Sequence, residues 1–328
     1  MRKSSPAKKS IAKTPSKDEL TGLVIQRAGD RLIVNTDAGL FLCSGRKRFR
    51  YFHETTGGVL VGDNVSITVT DTYPEKTASG VVGEGGIRSV VERRNAFLRG
   101  DPFNPSQPMG IAANIDRIIV IGAVYEPSTS FGLIDRLLVG AEASGVEKIV
   151  LVWNKIDLLE DGEKFVKSDF YQEYQSIGYP VIGVSAATGA VSPLLKNIES
   201  GRSLLLGASG VGKSTLLNCL IPGLQLTTNP ISEATGKGVH TTTVARMLTL
   251  PSGAEIIDTP GVRSLTLVGI TNEYVQFFPE FREFMGKCKY SNCSHIDDAG
   301  CAIRAAMDAG VIREFRYNSF RDLTLNES

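Results

Sequence analysis

The segment 207–214 has the composition and spacing of a phosphate-binding loop. Its sequence GASGVGKS matches the pattern G-x-x-x-x-G-K-[ST], and it lies between an apolar run and a helix-like run. Glycines at these positions let backbone N–H groups converge on a β-phosphate at a helix N-terminus. Lys213 is expected to reach the β- and γ-phosphate oxygens, and the Ser214 hydroxyl to bind Mg²⁺. The predicted nucleotide contacts of this loop are Gly207, Ala208, Ser209, Gly210, Val211, Gly212, Lys213, Ser214 and Thr215.

A second motif directed at phosphate, Asp-Thr-Pro-Gly, occupies 258–261 at the end of the apolar run 255–257. Asp258 is expected to hold Mg²⁺ through water, and the Gly261 amide to contact the γ-phosphate, as in nucleotide-dependent switches. The same four residues also form a common turn. The motif therefore indicates a nucleotide site only because a phosphate-binding loop accompanies it.

The residue after this motif is Val262, where Ras-like enzymes carry a glutamine that positions water. An apolar side chain cannot orient water, so we expect intrinsic hydrolysis to be slow. His240, in the run His-Thr-Thr-Thr at 240–243, is the candidate catalytic residue, with simple loop packing as the alternative. One threonine of this run is expected to supply the second Mg²⁺ hydroxyl, and Thr242 is the predicted one.

An N-K-x-D motif at 154–157 follows a further apolar run. The Asp157 carboxylate only accepts hydrogen bonds and so matches the N1–H and NH₂ groups of guanine, whereas adenine presents a mismatched edge. Asn154 is expected to support the loop and the Lys155 stem to lie along the base. A serine–alanine pair at 185–186 is expected to offer a backbone N–H. The predicted guanine contacts are Asn154, Lys155, Ile156, Asp157, Ser185 and Ala186.

The order of these motifs is permuted. An ordinary GTPase has the phosphate loop first and the guanine motifs last, whereas here the motifs at 154 and 185 precede the loop at 207 and the motif at 258. The site can survive this rearrangement because loops at the carboxyl ends of parallel strands meet at one sheet edge. The permutation also leads the 258–261 motif directly into the C-terminal segment, whose placement it can then influence.

Four soft metal ligands lie close together near the C-terminus. Cys288, Cys293, His295 and Cys301 provide three thiolates and one imidazole within 14 residues. That set is suited to a closed, tetrahedral, structural Zn²⁺ site with no position for a catalytic water. Buried apolar cysteines beside a surface histidine would not explain the clustering. The predicted role is to stabilise a small helical module with a core separate from the nucleotide-binding domain.

Composition excludes several classes of protein. The chain has 328 residues, of which 42% are hydrophobic and 22% charged, as in ordinary globular proteins. No run approaches the roughly 18 apolar residues of a membrane span, and the N-terminus lacks the apolar segment of a secretory signal. Five cysteines are too few for a disulfide framework. We therefore expect a cytoplasmic protein that does not bind membranes. We also expect it to be a monomer.

Residues 1–100 combine a basic charge with the pattern of a small β-barrel. They carry 17 Lys/Arg against 10 Asp/Glu, while the whole chain is at +1. From residue 20 to about 91, five short β-rich runs separated by turn residues fit an OB-type barrel. Cations interleaved with aromatics at 46–51 suit single-stranded nucleic acid, with an exposed hairpin as the alternative. The predicted RNA contacts are Arg46, Lys47, Arg48 and Arg50.

After a linker at 100–110 that is rich in Pro, Gly and Asn, apolar runs of strand length alternate with helical segments such as 132–143 and 165–176. This pattern predicts a largely parallel sheet covered on both faces. The predicted fold is thus a multi-domain α/β protein with an OB-type barrel, a circularly permuted P-loop domain and a C-terminal helical zinc-binding module. The predicted boundaries are a disordered basic tail at 1–18, the RNA-binding barrel at 19–100, the permuted domain at 101–272 and the zinc-binding domain at 273–328.

The barrel, the motif order NKID–SA–GASGVGKST–HTTT–DTPG and the Cys/His cluster together resemble the circularly permuted small ribosomal subunit biogenesis GTPases of the RsgA (YjeQ) family. The resemblance covers nearly the whole chain. It implies a GTP hydrolase that binds the 30S subunit and 16S rRNA, acts late in subunit maturation, is stimulated by the subunit and leaves on hydrolysis. Two departures are Val239, where the family is expected to have a basic residue, and the extension 1–18.

Two other functions compete with this interpretation. One is a GTP-binding, RNA-associated structural protein with little turnover, but Lys213, Ser214 and Asp258 are all retained, which favours an enzyme. The other is an ATP-using kinase or ATPase, for which the guanine-directed motif at 154–157 offers no reason.

Overall fold

The computed structural model describes residues 19–45, 58–101, 104, 107–159, 165, 168–226, 244–259, 266–267 and 274–326. Within these ranges no helix is long and apolar enough to cross a membrane. The predicted tail 1–18 and the predicted RNA contacts Arg46, Lys47, Arg48 and Arg50 lie outside them.

A closed five-stranded barrel begins the described chain. Its strands are β1 (Glu19–Ala28), β2 (Arg31–Thr36), β3 (Gly39–Ser44), β4 (Asn64–Thr72) and β5 (Val81–Val90). They follow the order β1-β2-β3-β5-β4, with β3 parallel to β5, and β4 pairs with β1 to close the barrel. Alternate side chains such as Val24, Val34, Ile67 and Ile87 fill its core. The predicted OB-type barrel is confirmed.

A two-stranded hairpin follows, where the sequence predicted a linker. Strands β6 (Ala96–Gly100) and β7 (Pro108–Ala113) pair antiparallel, so the hairpin crosses the predicted boundary at 100. Phe97 and Ala112 on it are fully buried. The Pro, Gly and Asn residues that suggested a linker lie mostly in the connection between the strands and at their ends. The domain boundaries themselves remain predictions.

The second half of the sheet is the predicted α/β layer. Its order is β10-β9-β8-β11-β13-β12, and every pair is parallel except β12 with β13. Strand β12 also pairs antiparallel with β1, so the layer and the barrel form one continuous sheet. The strands are β8 (Arg117–Ala123), β9 (Lys148–Asn154), β10 (Val181–Gly183), β11 (Arg202–Gly207), β12 (Val244–Thr249) and β13 (Glu255–Asp258).

Helices cover both faces of this layer, as predicted. Ile118 and Val120 of β8 face a core formed with α1, α2 and the C-terminal segment, while Ile119 and Ile121 face a core with α3 and α4. Helix α2 starts four residues later than predicted, because the Ser168 hydroxyl accepts the Tyr171 N–H and caps it. The helices are α1 (Phe131–Ala143), α2 (Asp169–Ile177), α3 (Ser192–Asn197) and α4 (Lys213–Leu220).

The C-terminal segment shares a core with the α/β layer. It contains 3-10 turns at Tyr274–Phe277 and Pro279–Phe284, then α5 (Ala302–Asp308) and α6 (Glu314–Asn326). Its buried phenylalanines belong to the same hydrophobic cluster as β8 and α1. The expectation of a separate core is therefore wrong, because α6 packs directly against α1.

A buried ionic network holds α6 to α1. Arg316 is fully buried, and its guanidinium lies 2.5 Å from Asp135 Oδ1 and 2.6 Å from Glu280 Oε1. The Tyr174 hydroxyl donates to the same Asp135 oxygen at 2.6 Å. The guanidinium also lies 4.5 Å from the Phe278 ring centroid, a cation–π distance. The buried Arg316 charge therefore keeps both of its carboxylate partners only while α1 and the C-terminal segment stay in contact.

Candidate active site

The phosphate-binding loop joins the end of β11 to the start of α4, as predicted. Gly212, which precedes α4, has φ +93°, a conformation that favours glycine. A Cβ atom there would lie 2.3 Å from Asn154 Nδ2, and one on Gly207 would lie 2.5 Å from the Ile121 carbonyl oxygen. Glycine at both positions therefore lets the loop fold tightly against β8 and the guanine motif.

Lys213 is held inside this loop. Its ammonium donates to the carbonyl oxygens of Gly207 at 2.7 Å and Ala208 at 2.5 Å. Burial lowers the pKa of Lys213 to about 8, and the nearby Asp258 carboxylate acts in the opposite direction. A phosphate in the loop would supply the anionic partner that this partly desolvated cation requires.

Asp258 lies at the end of β13, in register with Leu205 of β11. It is only 9% exposed, and its carboxylate is 3.3 Å from the Arg246 guanidinium of β12. Arg246 was not among the predicted site residues, because its position opposite Asp258 depends on the β12–β13 register. Asp258 and Ser214 provide the hard oxygen donors that suit Mg²⁺, which when bound would neutralise charge on the β- and γ-phosphates.

Asn154 connects three loops of the site. It is 2% exposed, its amide nitrogen donates to the Val211 carbonyl at 2.9 Å, and its amide oxygen accepts the Ala186 N–H at 3.0 Å. The phosphate loop, the 154–157 motif and the 185–186 pair are therefore joined through one side chain. The 185–186 pair was expected to offer a backbone N–H to the base, but the Ala186 N–H is engaged in this contact.

The guanine-directed carboxylate is exposed and positioned by a hydroxyl. Ser185 Oγ donates to Asp157 Oδ1 at 2.5 Å and accepts the Thr188 N–H at 3.3 Å. Lys155 has φ +64°, and its ammonium donates to the Glu126 carbonyl in the loop after β8. That loop was not part of the predicted site, and no local sequence signal points to it.

Several predicted site residues fall outside the described ranges. These are His240, Thr242 and Gly261, so their roles remain predictions. The same applies to the apolar Val262 that follows the 258–261 motif.

The four predicted metal ligands come together. The ligand atoms of Cys288, Cys293, His295 and Cys301 all lie within 4.8 Å of one another. The Cys288 and Cys301 sulfurs are 3.4 and 3.6 Å from His295 Nδ1. A tetrahedral zinc ion would keep sulfur and nitrogen ligands roughly 3.5 Å apart, so the donor set fits a metal of this kind.

The surroundings of the cluster also suit a metal. Desolvation, together with hydrogen bonds to Cys288 and Cys301, raises the pKa of the Cys293 thiol to about 12. Deprotonation of the Cys293 thiol at neutral pH, which metal binding requires, therefore needs a nearby cation. The Tyr317 hydroxyl of α6 donates to the His295 carbonyl at 2.9 Å, which ties the cluster to the shared core.

The phosphate loop, the guanine motif and Asp258 meet at the carboxyl edge of the sheet, in permuted order along the chain, and define a circularly permuted P-loop GTPase. A model of the RsgA GTPase family matches residues 90–268. The small ribosomal subunit biogenesis GTPase RsgA of Shewanella oneidensis is 37% identical over 92% of this chain and 82% of its own length. This chain therefore belongs to the RsgA family of ribosome-biogenesis GTPases. It is a GTP hydrolase, and neither an ATP-using enzyme nor a structural protein.

Other relatives agree. The RsgA protein of Klebsiella pneumoniae is 39% identical over 91% of this chain and 82% of its own length. The crystal structure of YjeQ from Thermotoga maritima matches with a TM-score of 0.68 at 30% identity, covering 94% of this chain and 98% of that one. The circularly permuted GTPase YloQ, at 24% identity and a TM-score of 0.64 over 95% and 96% of the two chains, shares the fold.

Proposed function

We propose that this GTP hydrolase binds the small (30S) ribosomal subunit through its 16S rRNA, assists late maturation of the subunit, and leaves when GTP is hydrolysed. The observation that carries the proposal is the set of relatives named small ribosomal subunit biogenesis GTPase, which align with 91–92% of this chain. The proposal places the protein in the cytoplasm, acting as a monomer.

The connection between the nucleotide site and the barrel supports a coupling of GTP hydrolysis to subunit binding. Strand β12 lies between them: Arg246 faces Asp258 of β13 on one side and pairs in register with Gln26 of β1 on the other. A change at Asp258 when Mg²⁺ and the γ-phosphate are bound or lost can therefore reach the barrel through one strand. The barrel is the part to which we assign rRNA binding, with the predicted contacts Arg46, Lys47, Arg48 and Arg50.

The chain after the 258–261 motif provides a second connection. The Thr266 carbonyl accepts the Gly100 N–H of the β6–β7 hairpin at 2.8 Å. Leu267, the next residue, is buried in the core that holds Phe278 and Phe281 of the C-terminal segment. A rearrangement of the 258–261 motif would therefore act on the hairpin and on the metal-binding segment at the same time.

We propose that the subunit stimulates GTP hydrolysis because the residue after the 258–261 motif cannot position water. Val262 cannot position the attacking water, so we propose that docking on the subunit completes the catalytic geometry, with His240 as the residue that acts on the water. We further propose one structural Zn²⁺ at Cys288, Cys293, His295 and Cys301, and a second Mg²⁺ hydroxyl from Thr242.

Co-sedimentation tests binding and release. The intact protein is loaded with GDP or a non-hydrolysable GTP analogue and centrifuged with purified 30S or 50S subunits. We expect retention on 30S with the analogue, much weaker retention with GDP, and no specific retention on 50S. Equal retention in both nucleotide states would contradict release on hydrolysis, and equal retention on both subunits would contradict the proposed partner.

A further inference from the structure

A cavity lies at the amino ends of the parallel strands, at the opposite edge of the sheet from the nucleotide site. We call it the basal cleft. It has a volume of about 580 Å³, within the range of small-ligand sites. Arg117 and Lys148, the first residues of β8 and β9, line it, as does Lys196 near the end of α3. A seven-residue strand separates it from the nucleotide site, a distance of about 20 Å.

The cations of the basal cleft lie on the same face of the sheet. Arg117 pairs in register with Lys148 on β9 and with Ser203 on β11, and registered neighbours in a parallel sheet point to the same side. Two like charges side by side on adjacent strands are destabilising unless an anion lies between them. Lys196 approaches from the helix that covers this face.

Arg117 is the most buried of these cations. It is only 8% exposed, yet its hydrogen bonds within the described chain go to neutral acceptors, the Ser203 hydroxyl at 3.0 Å and the Ser200 carbonyl at 3.4 Å. The neighbouring carboxylate, Asp116, is itself bonded to the Arg94 guanidinium and the Arg202 amide. Buried charges in proteins are normally paired, so this guanidinium indicates an anion that enters from outside.

The acidic residues of the cleft do not cancel this charge. Glu142 is 2.6 Å from the Arg282 guanidinium and accepts the Tyr179 hydroxyl, so it is already compensated. Glu147 is exposed, whereas Arg117 is buried. Three cations therefore face one exposed carboxylate, and the excess is positive.

Several of the remaining lining residues are apolar. Ile149, Val150, Ile177 and Pro180 line the same cleft. An arginine fork beside lysine ammonium groups suits a phosphate dianion, and an apolar wall suits an uncharged body attached to it. We propose that the basal cleft binds a small phosphomonoester with an apolar or aromatic body, independently of the nucleotide bound at the carboxyl edge.

The test uses intact protein saturated with GDP and Mg²⁺, so that the guanine site is filled. AMP, inorganic phosphate and adenosine are titrated separately by calorimetry, and the AMP complex is mapped by amide chemical shifts. We expect saturable one-to-one binding of AMP, weaker binding of phosphate in competition with it, and no binding of adenosine. No saturable AMP binding up to about 10 mM would overturn the proposal.

Matched variants locate the site. Arg117→Gln is expected to weaken AMP binding by roughly ten- to a hundredfold, and the exposed Lys148→Gln by up to about fivefold, without changing GDP affinity. Lys76→Gln, at an exposed lysine of the barrel, is the control and should bind AMP normally. AMP binding unaffected in both cleft variants would overturn the assignment. If the variants instead lose 30S binding and the wild type does not bind AMP, the cations contact an RNA backbone and the proposal is wrong.

Discussion

Removing the Arg316 charge should destabilise the α/β layer and the C-terminal segment together. The change Arg316→Met keeps an unbranched apolar stem but removes the guanidinium, which leaves Asp135, fully buried, and Glu280 without their cation. Removing one partner of a buried ion pair typically costs about 3–5 kcal/mol of unfolding free energy. The Arg316→Met/Asp135→Asn double variant should recover at least about 1 kcal/mol of that loss, because it no longer buries an unpaired carboxylate.

The pH dependence gives this prediction a second signature. Burial raises the pKa of Asp135, and Arg316 opposes that rise. Loss of Arg316 should raise the pKa further, so the carboxyl group of the variant is protonated over a wider pH range. A carboxyl whose pKa is raised by folding favours the folded state at low pH and opposes it as the pH rises. The difference between variant and wild type should therefore be smaller at pH 5 than at pH 8.

Two probes report the two regions separately. Trp153, the one tryptophan of the chain, is buried in β9, and its fluorescence follows unfolding of the α/β layer. Hydrogen exchange of 274–326 follows the C-terminal segment. We expect urea transitions at both probes to shift together. Arg321→Met in the same helix is the control, because Arg321 is exposed and lies 3.7 Å from Asp322, a pair worth less than about 1 kcal/mol. A shift in the C-terminal segment without one at Trp153 would refute the shared core.

Three further substitutions test the sites. Asp157→Asn should weaken GDP binding by about 1.5–3 kcal/mol in a calorimetric titration, because a charge-assisted pair to guanine is lost; unchanged affinity would remove the basis for the guanine assignment. Asn154→Ala should also weaken GDP binding, because the phosphate loop and the 185–186 pair lose their common partner. It should lower the unfolding free energy as well, since the buried Val211 carbonyl and Ala186 N–H are left unpaired at about 1–3 kcal/mol each. Its control, Asn197→Ala, removes an exposed local bond and should bind GDP normally; equal loss in both would argue against the bridging role. Cys293→Ser should abolish stoichiometric zinc binding and, because the core is shared, should also lower the urea midpoint measured at Trp153. Cys219→Ser is the control for zinc content, and a full zinc content in Cys293→Ser would contradict the proposed ligands.

The parts of the fold that local sequence controls could be predicted. Apolar runs with turn residues between them identified the five barrel strands and the six strands of the α/β layer, and each nucleotide motif lies where its strand ends. The Cys288–Cys301 cluster also assembles as its spacing indicated, since its members are only a few residues apart.

The parts of the fold that depend on distant residues could not be predicted from the sequence. The β1–β12 pairing joins Ala28 to Val244, and the Arg316–Asp135 ion pair joins residues 181 positions apart. No periodicity within one segment encodes such contacts, because they are decided by tertiary packing. For the same reason, barrel, GTPase domain and metal-binding segment looked separable in sequence. A deletion of 1–100 would remove β1 and β6 from their partners, so point substitutions are the cleaner experiments.

GTP turnover of the intact protein with purified ribosomal subunits tests the central claim most directly. The rate of phosphate release is measured for the protein alone, with saturating 30S and with saturating 50S. A GTPase with Val262 in place of a water-positioning glutamine, completed by docking, should be slow alone, accelerated by 30S and unaffected by 50S. Turnover that is unchanged by 30S, or raised equally by both subunits, would contradict activation of this enzyme by the small subunit.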